Sequence, residues 1–318
     1  MVLEELILLY YLRIFSLSFL IIVIYFCYLF LIKEIELKSS NITIERNQSL
    51  QSIIEVNVLN LNYLEKNIIK KYMSIHSRFI SRIHYGKFIF PEKVNLVNLI
   101  LKITKPSNYI LKLTIVEGWN KEDLNKLLDA NFNEYQAIDY QDILADTFFL
   151  HSYEKFDDFY RKLKIIKKEM KNSHADHELL KKFTFEDLLV IGSLLEKEGK
   201  DNFEKKVIFS VIQNRLEKNM KLQIDATTIF AITNGTFNMK RKLNLQDLKV
   251  EHLYNTYYIK GLPPGPISYV GKKTMELIFE NYKSNYLYYF YNTILKKHVY
   301  SETFDDHKRK LNEYRNKK

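Results

Sequence analysis

Glu196 is the residue in this sequence best placed to do acid–base chemistry. Thr184 followed by Asp187 reads as a capping-box-like helix start. Phe185, Leu188, Leu189, Gly192 and Leu195 then recur at helical spacing, and Gly199 reads as the C-terminal stop. At about 100° per residue, Glu196 falls seven positions after Leu189 and eleven after Phe185, on the same apolar stripe. Glu198 points roughly the opposite way. Burial raises the pKa of a carboxyl, which is how a general acid becomes available near neutral pH. The same spacing fits an ordinary salt bridge between Glu196 and a neighbouring lysine at the helix end. Spacing alone leans toward the salt bridge.

Further along, polar and aromatic residues cluster. Leu222 to Asp225 reads as an extended segment carrying Gln223 and Asp225, with Thr227 just beyond. Tyr254, Asn255, Thr256 and Tyr257 offer hydroxyls, an amide and aromatic faces. Gly261-Leu262-Pro263-Pro264-Gly265-Pro266 holds three of the five prolines and two of the eight glycines. Proline fixes φ and removes a backbone donor, and glycine permits turns and close approach of a ligand. This loop reads as a rigid cleft wall or a structural turn. The eight histidines show no metal-ligand spacing, so no metal and no cofactor are expected.

These elements also carry a resemblance. Glu196-Lys197-Glu198, Asn214-Arg215-Leu216, Met220-x-Leu222-Gln223-x-Asp225, and Tyr254-Asn255-Thr256-Tyr257 followed by Gly261-Leu262-Pro263-Pro264-Gly265-Pro266-Ile267 resemble the endolytic murein transglycosylase (MltG, YceG-like) family, in order and in spacing. The resemblance is strong from about Thr184 to the C-terminus. It is weakest over residues 130–177, where Ala145 to Leu150 lacks the glycine and proline of the family's segment. It also departs at Ala226, where the family has proline.

The resemblance implies a lyase that cuts the MurNAc–GlcNAc bond of nascent peptidoglycan strands without water, leaving 1,6-anhydro-MurNAc ends. It makes Glu196 the catalytic acid/base. Gln223, Asp225, Thr227, Tyr254, Asn255, Thr256, Tyr257, Pro263, Pro264 and Gly265 become substrate-binding residues. Implied partners are peptidoglycan glycan strands and the peptidoglycan synthases of the elongation machinery. Two carboxylates would suit hydrolysis, so a hydrolytic role for Asp225 stays open. The alternative to an enzyme is a non-catalytic, membrane-anchored peptidoglycan-binding scaffold.

The elements that must position these residues are read next. Ile14 to Ile32 is nineteen residues without a charge. At 1.5 Å per residue it spans roughly 28 Å, enough for a bilayer core, and it reads as an uncleaved single-pass anchor. Arg13 stands against Lys33, Lys38 and Arg46, a count that slightly favours a cytoplasmic body. The resemblance implies the reverse: a short cytoplasmic segment 1–13, and a body outside the bacterial cytoplasmic (inner) membrane. Residues 33–106 read as a small α+β unit, similar to the family's LysM-like subdomain through Tyr85 to Pro91. Pro106 and Ser107 mark a boundary, and residues 107–318 form the mixed α+β catalytic domain. The fold class expected is therefore α+β behind an N-terminal transmembrane helix.

Composition sets outer limits. A chain of 318 residues with 47% hydrophobic content is not mainly disordered. Its net charge of +10 fits anionic polymers or membrane headgroups. No nucleic-acid motif accompanies that charge, so no nucleic-acid partner is expected. The single cysteine, Cys27, lies in the anchor and permits no internal disulfide.

Overall fold

The computed structural model describes residues 2–45, 48–79, 83–107, 109–236, 239 and 241–317. Arg46 of the charge count lies outside them. The architecture is α+β, and the chain divides into two compact units: residues 1–111 with 149–154, and residues 112–148 with 155–318. The division falls a few residues beyond the boundary expected at Pro106–Ser107.

The first unit opens with helix α1 (Val2–Cys27), which runs on through a π turn at Tyr28–Ile32. From Ile7 to Ile32 the chain is long and apolar enough to cross a membrane. That is 26 residues, or roughly 39 Å at 1.5 Å per residue, so the apolar helix starts upstream of Ile14. Strand β1 (Glu34–Glu36) follows, then β2 (Asn41–Ile44), α2 (Leu50–Asn57), α3 (Tyr63–Phe79), β3 (Gly86–Ile89), β4 (Lys93–Asn95) and α4 (Leu96–Ile103). Two antiparallel ribbons result, with Ile35 opposite Val94 and Ile42 opposite Phe88. The inward residues Ile35, Ile42, Phe88, Leu96, Leu99 and Ile103 form one core with Ile53 and Ile69. Alternation of buried and exposed residues along β2 is the pattern of a strand with one wet face.

Strand β5 (Ile110–Thr114) pairs with β6 (Thr147–His151), and α5 (Lys121–Asn131) lies between them in sequence. The second unit continues with α6 (Phe156–Ser173), α7 (Phe185–Glu198), α8 (Asn202–Glu217), α9 (Asp225–Thr233) and α10 (Lys272–Phe279). It closes with the hairpin of β7 (Tyr288–Asn292) and β8 (Lys297–Ser301), and with α11 (Phe304–Asn316).

Helix α7 is the centre of this unit and packs against α8, α9 and α10. Its start is the expected capping box: Thr184 Oγ1 accepts from Asp187 N at 3.0 Å, and Asp187 Oδ2 accepts from Thr184 N at 2.9 Å. Every residue from Leu188 to Leu195 is buried, so α7 has no wet face until its last turn. Gly192 lets the segment leading into α10 close in, since a Cβ there would lie 2.7 Å from Val270 Cγ1. Asp201 caps α8 by accepting from Glu204 N at 2.8 Å. Asn219 takes the left-handed conformation expected of a stop, with φ of 51°.

Candidate active site

Two glutamates leave the end of α7 in different surroundings. Glu196 turns inward. Its side chain is 2% exposed, Oε2 pairs with the Lys205 ammonium at 2.5 Å, and Oε1 accepts from Gly271 N at 2.9 Å. Lys205, from α8, also donates to Thr274 Oγ1 on α10 at 2.9 Å. Gly118 lies against the Glu196 backbone, and a Cβ on Gly199 would meet Lys205 Cγ at 2.5 Å. The Glu196 carboxylate is thus a bracket joining three helices, enclosed and fully engaged. Of the two readings of its spacing, the geometry is that of the salt bridge.

Glu198 is half-buried as a residue, as Glu196 is, and its carboxyl is closely surrounded by protein. Tyr289, from β7, donates its hydroxyl to Glu198 Oε2 at 3.3 Å. Burial of the carboxyl and then the negative charge of Asp225 push its pKa up to about 7, against the smaller opposing effects of Tyr289 and Lys200. Asp225, the first residue of α9, is exposed and accepts a hydrogen bond from Tyr257 Oη at 2.7 Å. Burial and these carboxylates hold the Tyr257 and Tyr289 phenols well above their usual range, so both stay protonated donors. Gln223, two residues before Asp225, is exposed and held at φ of 50°, an uncommon conformation for a residue with a Cβ.

Arg215 ties these walls together. Its Nε donates to Leu287 O at 2.6 Å, and its Nη1 donates to Leu222 O at 2.8 Å and Lys221 O at 3.2 Å. Its neighbour Asn214 donates to Ser284 O and Tyr286 O. One helix therefore anchors both the segment leading to Asp225 and the segment leading to Tyr289.

Other expected substrate contacts lie elsewhere. Thr227, Asn255 and Thr256 are 0% exposed. Thr227 and Thr256 share a hydroxyl hydrogen bond of 2.8 Å. Asn255 donates to Leu248 O and Val250 O and accepts from Thr228 Oγ1. These three polar side chains satisfy backbone and one another in an irregular segment, which removes them from ligand contact. Pro263 is buried and Pro264 exposed. Tyr254 is half-buried, and its hydroxyl sits over Gly265, where a Cβ would lie 2.9 Å from it. The structure thus brings Asp225 and Tyr257 near Glu198, with Gln223 two residues before Asp225, while Tyr254, Pro264 and Gly265 line a separate cavity.

The sequence singles out neither Glu198 nor Tyr289. The readable signal for Glu198 is its place as the last helical residue before Gly199, where α7 leaves the core. Among the described residues, no group of three or more His, Cys, Asp or Glu could hold a metal ion.

A carboxyl pushed up to about 7 by burial, beside a second carboxylate and two phenols, can deliver and recover a proton at one substrate oxygen. Comparison with known proteins gives this arrangement a family. The chain is 31% identical over 156 residues to an endolytic murein transglycosylase of Bacillus subtilis, a match spanning 47% of this chain and 42% of that protein. It is 32% identical over 139 residues to one of Streptococcus pneumoniae, spanning 43% of this chain and 25% of that protein. The chain therefore spans less than half the length of these curated relatives. A crystal structure of a YceG-like protein from Listeria monocytogenes shares the fold, with a TM-score of 0.54 at 23% identity over 85% of this chain and 97% of that one. The model of the YceG-like family matches residues 42–313, and with most of its length so accounted for, the chain belongs to the YceG-like family.

Proposed function

We propose that this chain is a membrane-anchored peptidoglycan lytic transglycosylase in which Glu198, in place of Glu196, is the acid and base. The observation that carries the reading is the Glu198 carboxyl, pushed up to about 7 next to Asp225 and the Tyr289 hydroxyl. The relatives' printed name, endolytic murein transglycosylase, supports the substrate class. In the first step Glu198 gives its proton to the oxygen of the MurNAc–GlcNAc bond, and the C1–O4 bond breaks. The oxocarbenium-like centre faces Asp225, whose charge favours it in a partly dried cleft. The C6 hydroxyl of the same MurNAc then attacks C1, and its proton returns to Glu198. Atoms balance without water, and the product ends in 1,6-anhydro-MurNAc.

Tyr257 and Gln223 border that centre, and Glu196 keeps a bracing role. The apolar helix from Ile7 to Ile32 serves in this reading as a single-pass anchor in the bacterial inner membrane, with the body outside. The first unit acts as a LysM-like spacer or glycan guide, and elongation synthases are the natural neighbours.

The test is mass spectrometry of glycan strands treated with the full chain in detergent. Products lighter by one water than hydrolytic muropeptides are expected, and Glu198→Gln should release none. Reducing ends in their place would make the enzyme a hydrolase. No release by the wild type would favour the non-catalytic scaffold.

A further inference from the structure

The cavity beside the proline-rich loop lies outside the acid site. Its volume is about 370 Å³, and its floor is the Tyr254 ring, set 4.6 Å from Phe230. Pro264 and Gly265 form one side. Gln141 and Asn234 bring two amides to the rim, and Lys121 and Asp139 bring an ion pair. Tyr140, also in the lining, is held in place: its ring lies 4.8 Å from Tyr269, and its hydroxyl accepts from Lys121 N at 3.1 Å.

Three properties together define the ligand. A volume near the lower end of the range for small-molecule pockets, roughly 300–1,000 Å³, holds one or two rings. An aromatic face at the base suits the apolar face of a ring more than an extended chain. Lys121 and Asp139 neutralise each other, so the cavity selects neither an anion nor a cation, although the chain as a whole carries +10. What remains is a neutral ring bearing hydroxyls and amides.

We infer that this cavity is a distal saccharide subsite, stacking an N-acetylated sugar on Tyr254 and reading its amide and hydroxyls with Gln141 and the Lys121–Asp139 pair. Its place on the scaffold fits a strand running past Glu198. Tyr254 lies three residues from Tyr257, and Phe230 lies five residues along α9 from Asp225, about 7.5 Å at helical rise. A ring held here would keep the strand in register while the bond at Glu198 is broken. This inference takes the glycan as substrate from the proposed function, but it concerns binding alone.

The test is calorimetric titration of the full chain in detergent with tetra-N-acetylchitotetraose. Tyr254→Ala should weaken binding about tenfold, as loss of a stacking ring does. Gln141→Ala, an exposed position that does not challenge folding, should weaken it severalfold. Glu198→Gln should bind like the wild type. Wild-type affinity in both cavity variants would overturn the subsite, and so would a sugar-free stem peptide that displaces the probe. Glycan cleavage by the wild type with unchanged probe binding in the variants would leave the enzyme reading intact and remove only this inference. Probe binding that depends on Tyr254, without anhydro products, would do the reverse.

Discussion

Lys205 holds Glu196, its ammonium 2.5 Å from Oε2, while Glu198, two residues on, accepts from the Tyr289 hydroxyl at 3.3 Å. Two substitutions two residues apart should therefore fail differently. Glu198→Gln should cut glycan release by about 10²-fold or more with an unchanged unfolding midpoint at acid pH. Glu196→Gln leaves a buried ammonium short of its partner and should cost about 3 kcal/mol, read by chemical denaturation. Release by the folded fraction of Glu196→Gln should persist. Equal loss of release per folded molecule in both would return the acid role to Glu196.

The perturbed carboxyl also makes stability depend on pH. Glu198 titrates at about 7 in the folded chain against an ordinary 4.5, so the folded state holds this proton more tightly than the unfolded one. Below about pH 4.5 the group is neutral in both states and costs nothing. Between those values the unfolded chain gives up its proton first and stability falls. Above about 7 the penalty is complete. Glu198→Gln should therefore match the wild type near pH 4 and exceed it near pH 8 by on the order of 2–3 kcal/mol, as measured by thermal melts at the two values.

Neighbours of Glu198 should move its titration in opposite directions. Asp225 raises the Glu198 pKa and the Tyr289 hydroxyl lowers it. Activity that needs the protonated acid fails on the alkaline side. In profiles of kcat/KM, Asp225→Asn should bring that limb to lower pH, and Tyr289→Phe should carry it to higher pH. Shifts of the same sign would contradict the arrangement.

Asn255 separates bracing from binding. Asn255→Ala strands Leu248 O, Val250 O and the Thr228 hydroxyl inside the protein and should cost about 2–3 kcal/mol. At a temperature where the variant is folded, KM for glycan should stay at the wild-type value. A raised KM with full stability would put the amide back in the substrate's path.

Much of the frame is legible in the sequence because local chemistry fixes it. The Thr184–Asp187 box and the apolar N-terminal helix each follow from residues close together in the chain. The acid proposed for this chain is not legible, for a reason of packing. The apolar stripe turns Glu196 inward, as found, but periodicity does not say whether an inward carboxyl is braced or reactive. The environments of Glu196 and Glu198 come from Lys205, Asp225, Gly271 and Tyr289, which only the tertiary fold brings close. Polar residue types likewise cannot announce whether they serve a ligand or the backbone. Thr227, Asn255 and Thr256 serve the backbone and one another, because residues 254–257 lack a regular ladder to pair with.

Arg215 sends its hydrogen bonds to main-chain oxygens, those of Lys221, Leu222 and Leu287, while its guanidinium lies over the Tyr288 ring. Peptide carbonyls are the same whatever side chain follows them, so the strut it forms is blind to what stands at those three positions. Drift there can proceed without loosening the gap between Asp225 and Tyr289, provided the guanidinium itself is kept. The spacing of the cleft thereby leans on this strut, with Asn214 beside it holding Ser284 O and Tyr286 O.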